Sequence, residues 1–384
     1  MPLARAPMDL TEREARRLSR GQRVPRWAAV MPASELDASA AVATVDGIDP
    51  LLEPDRYPVR TAGDGPTTVT TVRVVGDIML DRGVASARPG GHPADALRPL
   101  ARHLAGADLT VGNLESTLST DGQPTQEPVG DSFAAPPDSA DRLAALGIDA
   151  VSLANNHTGD YGEAALLATL DRLRRSDLRS FGAGRDLASA ARPVVLEHEG
   201  VRFGFLGFNA IGETAQAAPG APGALSIRMP PRTGPLNRAD LARVEDAVRR
   251  LERRVDAVVV LPHWGEQYTH AAWPVQRLVG RRLVEAGADL VVGGHPHWVQ
   301  GLDHLGANAV LAHSLGNLVF DMDFMEQTME GVTLTATFWD GRLMRVELTP
   351  YRMDATFAPR LARGPVGDGI LADVWSHSTG PFRG

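Results

Sequence analysis

Leu290-Val291-Val292-Gly293-Gly294-His295-Pro296-His297-Trp298-Val299-Gln300 is the stretch on which the reading of this chain turns. An apolar run fills Leu290 to Val292, two glycines follow, and two histidines come next with one residue between them. Such a run reads as a buried parallel strand that ends in a tight loop. In open α/β sheets, ligands bind at the carboxyl ends of strands. Glycine lets the backbone turn sharply there and brings side chains close to a bound ion. Imidazole is the commonest metal ligand near neutral pH, and two imidazoles so spaced can face one metal, or one each of two adjacent metals. Taken alone, the stretch is equally compatible with two ordinary loop histidines.

The pattern repeats along the chain. Val72-Arg73-Val74-Val75 ends in Gly76-Asp77, and Leu109-Thr110-Val111 in Gly112-Asn113-Leu114-Glu115. Ala150-Val151-Ser152-Leu153-Ala154 ends in Asn155-Asn156-His157, and Ala257-Val258-Val259-Val260-Leu261 in Pro262-His263-Trp264-Gly265. Strand ends that together supply Asp, Glu, Asn/His, His and His/His have the composition of a di-metal site.

Composition narrows the chemistry. The 384 residues include no cysteine, so disulfides and thiolate-zinc sites are excluded and any metal must use N and O ligands. The formal charge of -8 argues against nucleic acid as the main partner. Every basic residue apart from histidine is arginine, which suits bidentate recognition of carboxylate or phosphate. No segment approaches the roughly 20 apolar residues of a membrane span. Met1 to Arg20 is charged and lacks an apolar core, so the chain as written reads as cytoplasmic, and as exported if the true start lies upstream.

Residues 1–66 stand apart as an N-terminal extension or small subdomain, and residues 67–384 as the main domain with a C-terminal tail. Leu10 to Leu18 reads as a short helix capped by Asp9 or Thr11, and Trp27 to Val30 and Ala40 to Val45 as short strands. From Val69 the pattern alternates β and α. Pro93 to Leu104 has helical spacing, with Pro99 expected to kink or split it. Asp121 to Pro137 and Ile211 to Arg232 are rich in Pro and Gly and read as loops at the site. Asp138 to Leu146, Gly162 to Leu173, Ala239 to Leu251 and Val275 to Ala286 read as helices. Val194 to Leu196 and Val201 to Gly207 read as strands around a turn at Gly200. Ala309 to Ala312, Thr333 to Thr337 and Leu343 to Leu348 read as strands that complete a second sheet. Alternating strands and helices imply a parallel sheet flanked by helices, and the late strands imply a more antiparallel addition.

In order, the strand-end motifs resemble those of the CapA family, named for poly-γ-glutamate capsule synthesis and similar in fold to calcineurin-like metallophosphoesterases. The matching stretches are Gly76-Asp77-Ile78-Met79-Leu80, Asn113-Leu114-Glu115, Ser152-Leu153-Ala154-Asn155-Asn156-His157 with Asp160-Tyr161-Gly162, His263-Trp264-Gly265, Gly294-His295-Pro296-His297, and Ser314-Leu315-Gly316-Asn317 with Val319-Phe320. The resemblance implies an α/β fold, a two-sheet α/β/β/α sandwich with its site at the strand ends. It implies divalent metal ions (Mn, Fe, Zn or Mg) at one tight and one weaker position. By resemblance Asp77 is a carboxylate of the first metal, Glu115 the bridging carboxylate, and Asn156 the amide-oxygen ligand of the second metal. His263 and His295 are then ligands of the second metal and His297 of the first, while His157 contacts substrate and protonates a leaving group. Two cations so bridged would acidify a water toward neutral pH.

The chain also departs from the wider superfamily. Asp-x-His is its usual first motif, and Met79 stands at the third position here; a thioether is a poor ligand for Mn, Mg or Zn. Gln267 follows Glu266 where a Glu before Tyr268 is common, and His313 stands where tyrosine is frequent. Arg82 and Arg185 are candidates for anion binding, though ordinary surface arginine is the stronger reading. His270 could reach the site; His92, His103, His198, His304 and His377 read as structural. Two functions compete. One is a metal-dependent hydrolase of an amide, γ-glutamyl or phosphoester bond, acting on an anionic small-molecule or polymer substrate of polyglutamate type. The other is a non-hydrolytic component of capsule polymer assembly, with the site used for binding; a metal-binding domain without turnover is a third possibility.

Overall fold

A computed structural model describes residues 9–19, 31–59, 65–306 and 308–383. The expected strand at Trp27 to Val30 lies outside the described residues. Helix α1 (Glu12–Ser19) opens at Thr11, whose hydroxyl accepts the Glu14 amide while Glu14 Oε2 accepts the Thr11 amide, a reciprocal cap. Ala40 to Val45 contributes only Thr44–Val45, paired parallel to Asp9–Leu10.

The main domain is built on two sheets. The first begins with β1 (Val69–Ile78), β2 (Leu109–Leu114), β3 (Ala150–Ser152) and β4 (Arg179–Phe181), each parallel to the one before. The second contains β5 (Val194–His198), β6 (Val201–Asn209), β7 (Ala257–His263), β8 (Leu290–Val292), β9 (Leu302–Leu305) and β10 (Ala309–Ala312), in the spatial order β9-β10-β8-β7-β6-β5. Its inner strands are parallel, and the edge strands β5 and β9 run antiparallel to their neighbours.

The chain then returns to the first sheet. β11 (Asn317–Val319) lies parallel to the carboxyl end of β1, and β12 (Glu330–Trp339) antiparallel to the rest of it. β13 (Arg342–Met353) and β14 (Pro359–Leu361) extend the sheet beyond β12. This corrects the expectation that the late strands complete a second sheet: only β10 does so. Apolar alternation identifies a strand, but nothing in it selects between two sheets that share one core.

Side-chain direction sets the layers. Val72 and Val74 of β1 point into the apolar core between the sheets, while Val75 points to the outer core. In β7, Ala257, Val259 and Leu261 face the inner core, and Val258 and Val260 the opposite side. Strands buried on both faces read as continuous apolar runs for this reason. Helices α2 (Ser139–Ala145) and α3 (Gly162–Arg174) pack Leu143, Leu166 and Leu173 on the outside of the first sheet. Helices α4 (Arg238–Glu252) and α5 (Pro274–Glu285) pack Val244, Val248, Val279 and Leu283 on the outside of the second. Asn237 caps α4 by accepting the amides of Ala239 and Asp240. The result is an α/β/β/α sandwich. Between β1 and β2, Pro99 splits the expected helix into a 3₁₀ segment (Pro93–Leu100) and one α-turn (Ala101–Leu104). The tail, weakly patterned in sequence, forms α6 (Gly364–His377), which adds Ile370, Val374 and Trp375 to the inner core.

Residues 31–59 pack against the β12–β13 hairpin. Trp339 Nε1 donates to the Leu51 carbonyl at 2.8 Å, and the buried Arg345 pairs with Asp49 Oδ2 at 2.7 Å.

Candidate metal centre

Parallel pairing brings the polar strand ends to one edge of the sandwich. Asp77 is in register with Asn113 of β2 and with Asn317 of β11, and Asn113 with Ser152 of β3. In the second sheet, His263 ends β7 and bridges Gly294 just past β8. Ligand-capable atoms of Asp77, Glu115 and His263 therefore lie within 4.8 Å of one another, all buried. His263 Nε2 is 3.4 Å from Glu115 Oε1 and 2.9 Å from Asn156 Oδ1. The His295 ring sits 5.0 Å from that of His263 and 5.7 Å from that of His297, and His297 Nδ1 is 3.8 Å from Asp77 Oδ2. All six residues expected as ligands are thus brought together from both sheets.

The loop after β8 is bent to achieve this. His295 (φ 93°) and His297 (φ 59°) both occupy the left-handed region, a strained backbone for non-glycine residues that clusters at functional sites. Gly294 has no tolerance for a side chain, since a Cβ there would lie 2.5 Å from Asp77 Oδ1. The His295 amide donates to Asp77 Oδ2 at 3.1 Å.

The donor set fits a cation. Glu115 Oε2 and both ring nitrogens of His295 are buried without a hydrogen-bond partner among the described residues. Burial, then the charge of Asp77, pushes the Glu115 carboxyl well above its usual range. Burial and neighbouring imidazoles hold His263 and His295 well below the usual histidine value, and burial lowers His297 against the pull of Asp77. Neutral imidazoles present lone pairs, which is the ligating form. Two buried carboxylates side by side, one with a free oxygen, lack the positive charge that would balance them.

Residues without an assigned role in the sequence hold these donors in place. Asn113 Nδ2 lies 2.9 Å from both Asp77 Oδ1 and Glu115 Oε1, and its own Oδ1 accepts from Asn155 Nδ2 at 2.9 Å. Asn317 Oδ1 lies 2.8 Å from His297 Nδ1, which leaves Nε2 of that ring for the site. His157 is stacked on Phe133 at 4.1 Å, and its Nδ1 meets the buried Asp160 Oδ2 at 2.8 Å. Asn113, Asn317 and Asp160 all lie inside the recurring motifs, which was the available signal.

Several other candidates fall outside the centre. Arg185 pairs with Asp171 at 2.6 Å on the surface. Arg82 is committed to Asp131 and Asp321 and lies over the Phe133 ring. His270 Nδ1 meets the Val299 carbonyl at 2.7 Å, and its ring stacks on His377 and lies tilted against Trp298. His313 is a buried partner of Asp303. Met79 is fully buried, with its sulfur accepting the Asp81 amide at 3.0 Å.

Sandwich topology and the placement of the polar strand ends make this a protein of the calcineurin-like metallophosphoesterase fold class. The family model described as bacterial capsule synthesis protein PGA_cap matches residues 71–322, most of the sandwich, and the chain belongs to that family. It is 30% identical over 254 residues to the capsule biosynthesis protein CapA of Bacillus anthracis, a match covering 65% of this chain and 60% of that protein. It is 27% identical over 294 residues to the PGA biosynthesis protein CapA of Bacillus subtilis (strain 168), covering 76% and 74%. A probable polyglutamine synthesis accessory protein of Mycobacterium tuberculosis (strain H37Rv) is 29% identical over 298 residues, covering 67% and 76%. Among solved structures, a hypothetical protein from Thermus thermophilus aligns with a TM-score of 0.43 at 15% identity, over 73% of this chain and 99% of that one. No helix among the described residues is long and apolar enough to cross a membrane.

Proposed function

We propose that this protein is a metal-dependent hydrolase that cleaves an amide, γ-glutamyl or phosphoester bond in a polyglutamate-type substrate. The observation that carries the reading is the set of buried, unpartnered donor atoms, Glu115 Oε2 and both His295 nitrogens, lying among Asp77, Asn156 and His263. Glu115, Asn156, His263 and His295 would hold one divalent ion, and Asp77, Glu115 and His297 the other. The chemistry such ions supply when bound is polarisation of a carbonyl or phosphoryl oxygen and acidification of a water.

The remaining work belongs to the chain itself. The buried Asp160 accepts from His157 Nδ1 and so fixes the ring with Nε2 turned toward the site. That atom would carry a proton to a leaving group on release from Asn156 Nδ2, which lies 3.0 Å away, as in other base–orienter pairs. Phe133 covers one face of the ring and shields it from solvent. Asn113, tied to both carboxylates, keeps their remaining oxygens aimed inward.

Met79 supports a second reading. Its sulfur is taken up by the Asp81 amide, so the first ion lacks a fourth protein donor. A protein that binds polymer at this site without turnover, as a component of capsule polymer assembly, would tolerate that loss. Purified protein incubated with di- and poly-γ-glutamates and a generic phosphoester, with added Mn²⁺ or with chelator, separates the two. Chelator-sensitive product release is the result expected; binding of polyglutamate without any product supports the second reading.

A further inference from the structure

We propose that Glu213 is a positioning residue for Asn156, fixing its amide with the oxygen turned into the metal centre. The inference rests on the reading of Asn156 as a ligand. Asn156 has two possible amide orientations of nearly identical shape, and only one presents a donor oxygen to a cation. Something must choose between them.

Glu213 sits in the long loop between β6 and α4, far from Asn156 in sequence. Gly212 (φ 85°) and Glu213 (φ 65°) are both left-handed, and the second is a conformation that a glutamate rarely adopts. The loop is tied down at its start, where Asn209 Nδ2 donates to the Gly212 carbonyl at 3.0 Å. This backbone carries the Glu213 carboxylate to Asn156. Glu213 Oε2 lies 2.8 Å from Asn156 Nδ2, and Oε1 accepts from Arg232 at 3.0 Å. A carboxylate can only accept, so the group facing it must be the NH₂.

The second N–H of that amide is also accounted for. Asn156 Nδ2 lies 3.0 Å from His157 Nε2. Asp160 takes the proton on His157 Nδ1, which leaves a lone pair on Nε2 to accept. With both donors engaged, Asn156 Oδ1 faces His263 Nε2 at 2.9 Å. The same loop also holds the Asn156 backbone, since Thr214 Oγ1 donates to the Asn156 carbonyl at 2.7 Å. The reversed amide would set its oxygen against a carboxylate and a lone pair, and would turn N–H groups toward the ligands. The ionised acceptor makes the choice stronger than a neutral one would, and Arg232, which also lies 3.7 Å from Glu266, balances its charge.

The test uses the full chain, with Glu213→Ala, Glu213→Gln and Asn156→Ala. Nitrogen-15 NMR of metal-free protein follows the Asn156 side-chain NH₂, identified as the signals lost in Asn156→Ala. Titration with Mn²⁺ then reads the centre. Glu213→Ala should speed hydrogen exchange of that NH₂ by about tenfold or more. It should also weaken Mn²⁺ binding by roughly 10–100-fold, the usual effect of losing a group that orients a ligand. Glu213→Gln keeps an acceptor oxygen and should restore most of both. An NH₂ group with unchanged shift and exchange in Glu213→Ala overturns the proposal. An NH₂ group that loosens in a protein whose Mn²⁺ affinity is unchanged or absent supports the positioning contact and overturns Asn156 as a ligand, so the two failures are separable.

Discussion

Asp77 and Glu115 share one buried point with His263, with His295 and His297 beside it and all three imidazoles held below the usual histidine value by burial, and the donors there are not interchangeable. Glu115 is the member common to both proposed ion positions, so Glu115→Ala should empty both while the fold survives. The second position counts four protein donors and the first only Asp77, Glu115 and His297, because the Met79 sulfur is occupied elsewhere. Fewer protein ligands mean lower affinity and rigidity. One ion should therefore survive dialysis and the other appear only with added metal. His263→Ala should empty the tight position, and His297→Ala should mainly affect the weak one. Metal equivalents per chain after dialysis, with calorimetric titration of the second ion, check this; two ions held with equal high affinity would contradict it. His157 is a different case. As a proton carrier it should leave metal content intact, and His157→Ala should lower turnover by roughly 10²–10⁴-fold; a variant that loses its metal would make His157 a ligand instead. These donors were legible in sequence because each closes an apolar run with a residue type that can ligate. Glu213 was not, since 57 residues of chain and an aperiodic loop separate it from the amide it meets.

At the scale of elements, the four helices that cover the sheets followed from period within a residue at their ends, and the motif-bearing strands followed from their apolar runs within three. The helix α6 did not. Gly364, Gly367 and Gly369 in its first turns oppose helix formation, while Pro365 sits in the first turn where proline is tolerated, and it is packing of Ile370, Val374 and Trp375 that holds it. The short turn Ala101–Leu104 carries a measurable consequence of its burial. Burial, then the charge of Arg73, lowers His103 to about 4, and its Nε2 meets Thr333 Oγ1 at 2.9 Å. The unfolded chain takes up a proton near pH 6.5, before the folded chain does. Between those values the unfolded state binds more protons, so stability should fall as pH drops from 6.5 toward 4. Asp289 and Glu330, both raised to about 6 by burial, act in the opposite direction over much of the same window. The comparison is therefore with His103→Gln, which should lose less stability than wild type across that range in pH-dependent thermal melts. Parallel curves for the two proteins would remove His103 from the account.

For the molecule as a whole, the question is what joins residues 31–59 to the sandwich. Arg345 is 5% exposed and pairs with Asp49 at 2.7 Å and with the more exposed Glu347 at 3.0 Å. Removing the nearer partner leaves a buried guanidinium half-compensated, so Asp49→Ala should cost about 2 kcal/mol in denaturant unfolding. Adding Arg345→Leu should recover much of that loss, because no charge is then stranded; a double variant no better than the single would show that the pair is not the link. Composition suggests a boundary near residue 66, but it gives no sign of this attachment, because Arg345 reads only as a polar position in the expected strand Leu343 to Leu348 and Asp49 belongs to no periodic pattern. The strand β12 has a further consequence, which concerns synthesis. Arg73 on β1 meets Thr335 on β12 across 262 residues of chain. A ribosome adding about 5–20 residues per second needs on the order of tens of seconds to deliver the second after the first. Throughout that interval the Val69–Val74 part of β1 has one edge with no partner, and an open edge invites pairing with other chains. Nascent chains stalled before Glu330 are expected to remain protease-sensitive through Val69–Val74, and stalled chains already protected there would mean that β1 borrows another neighbour while it waits.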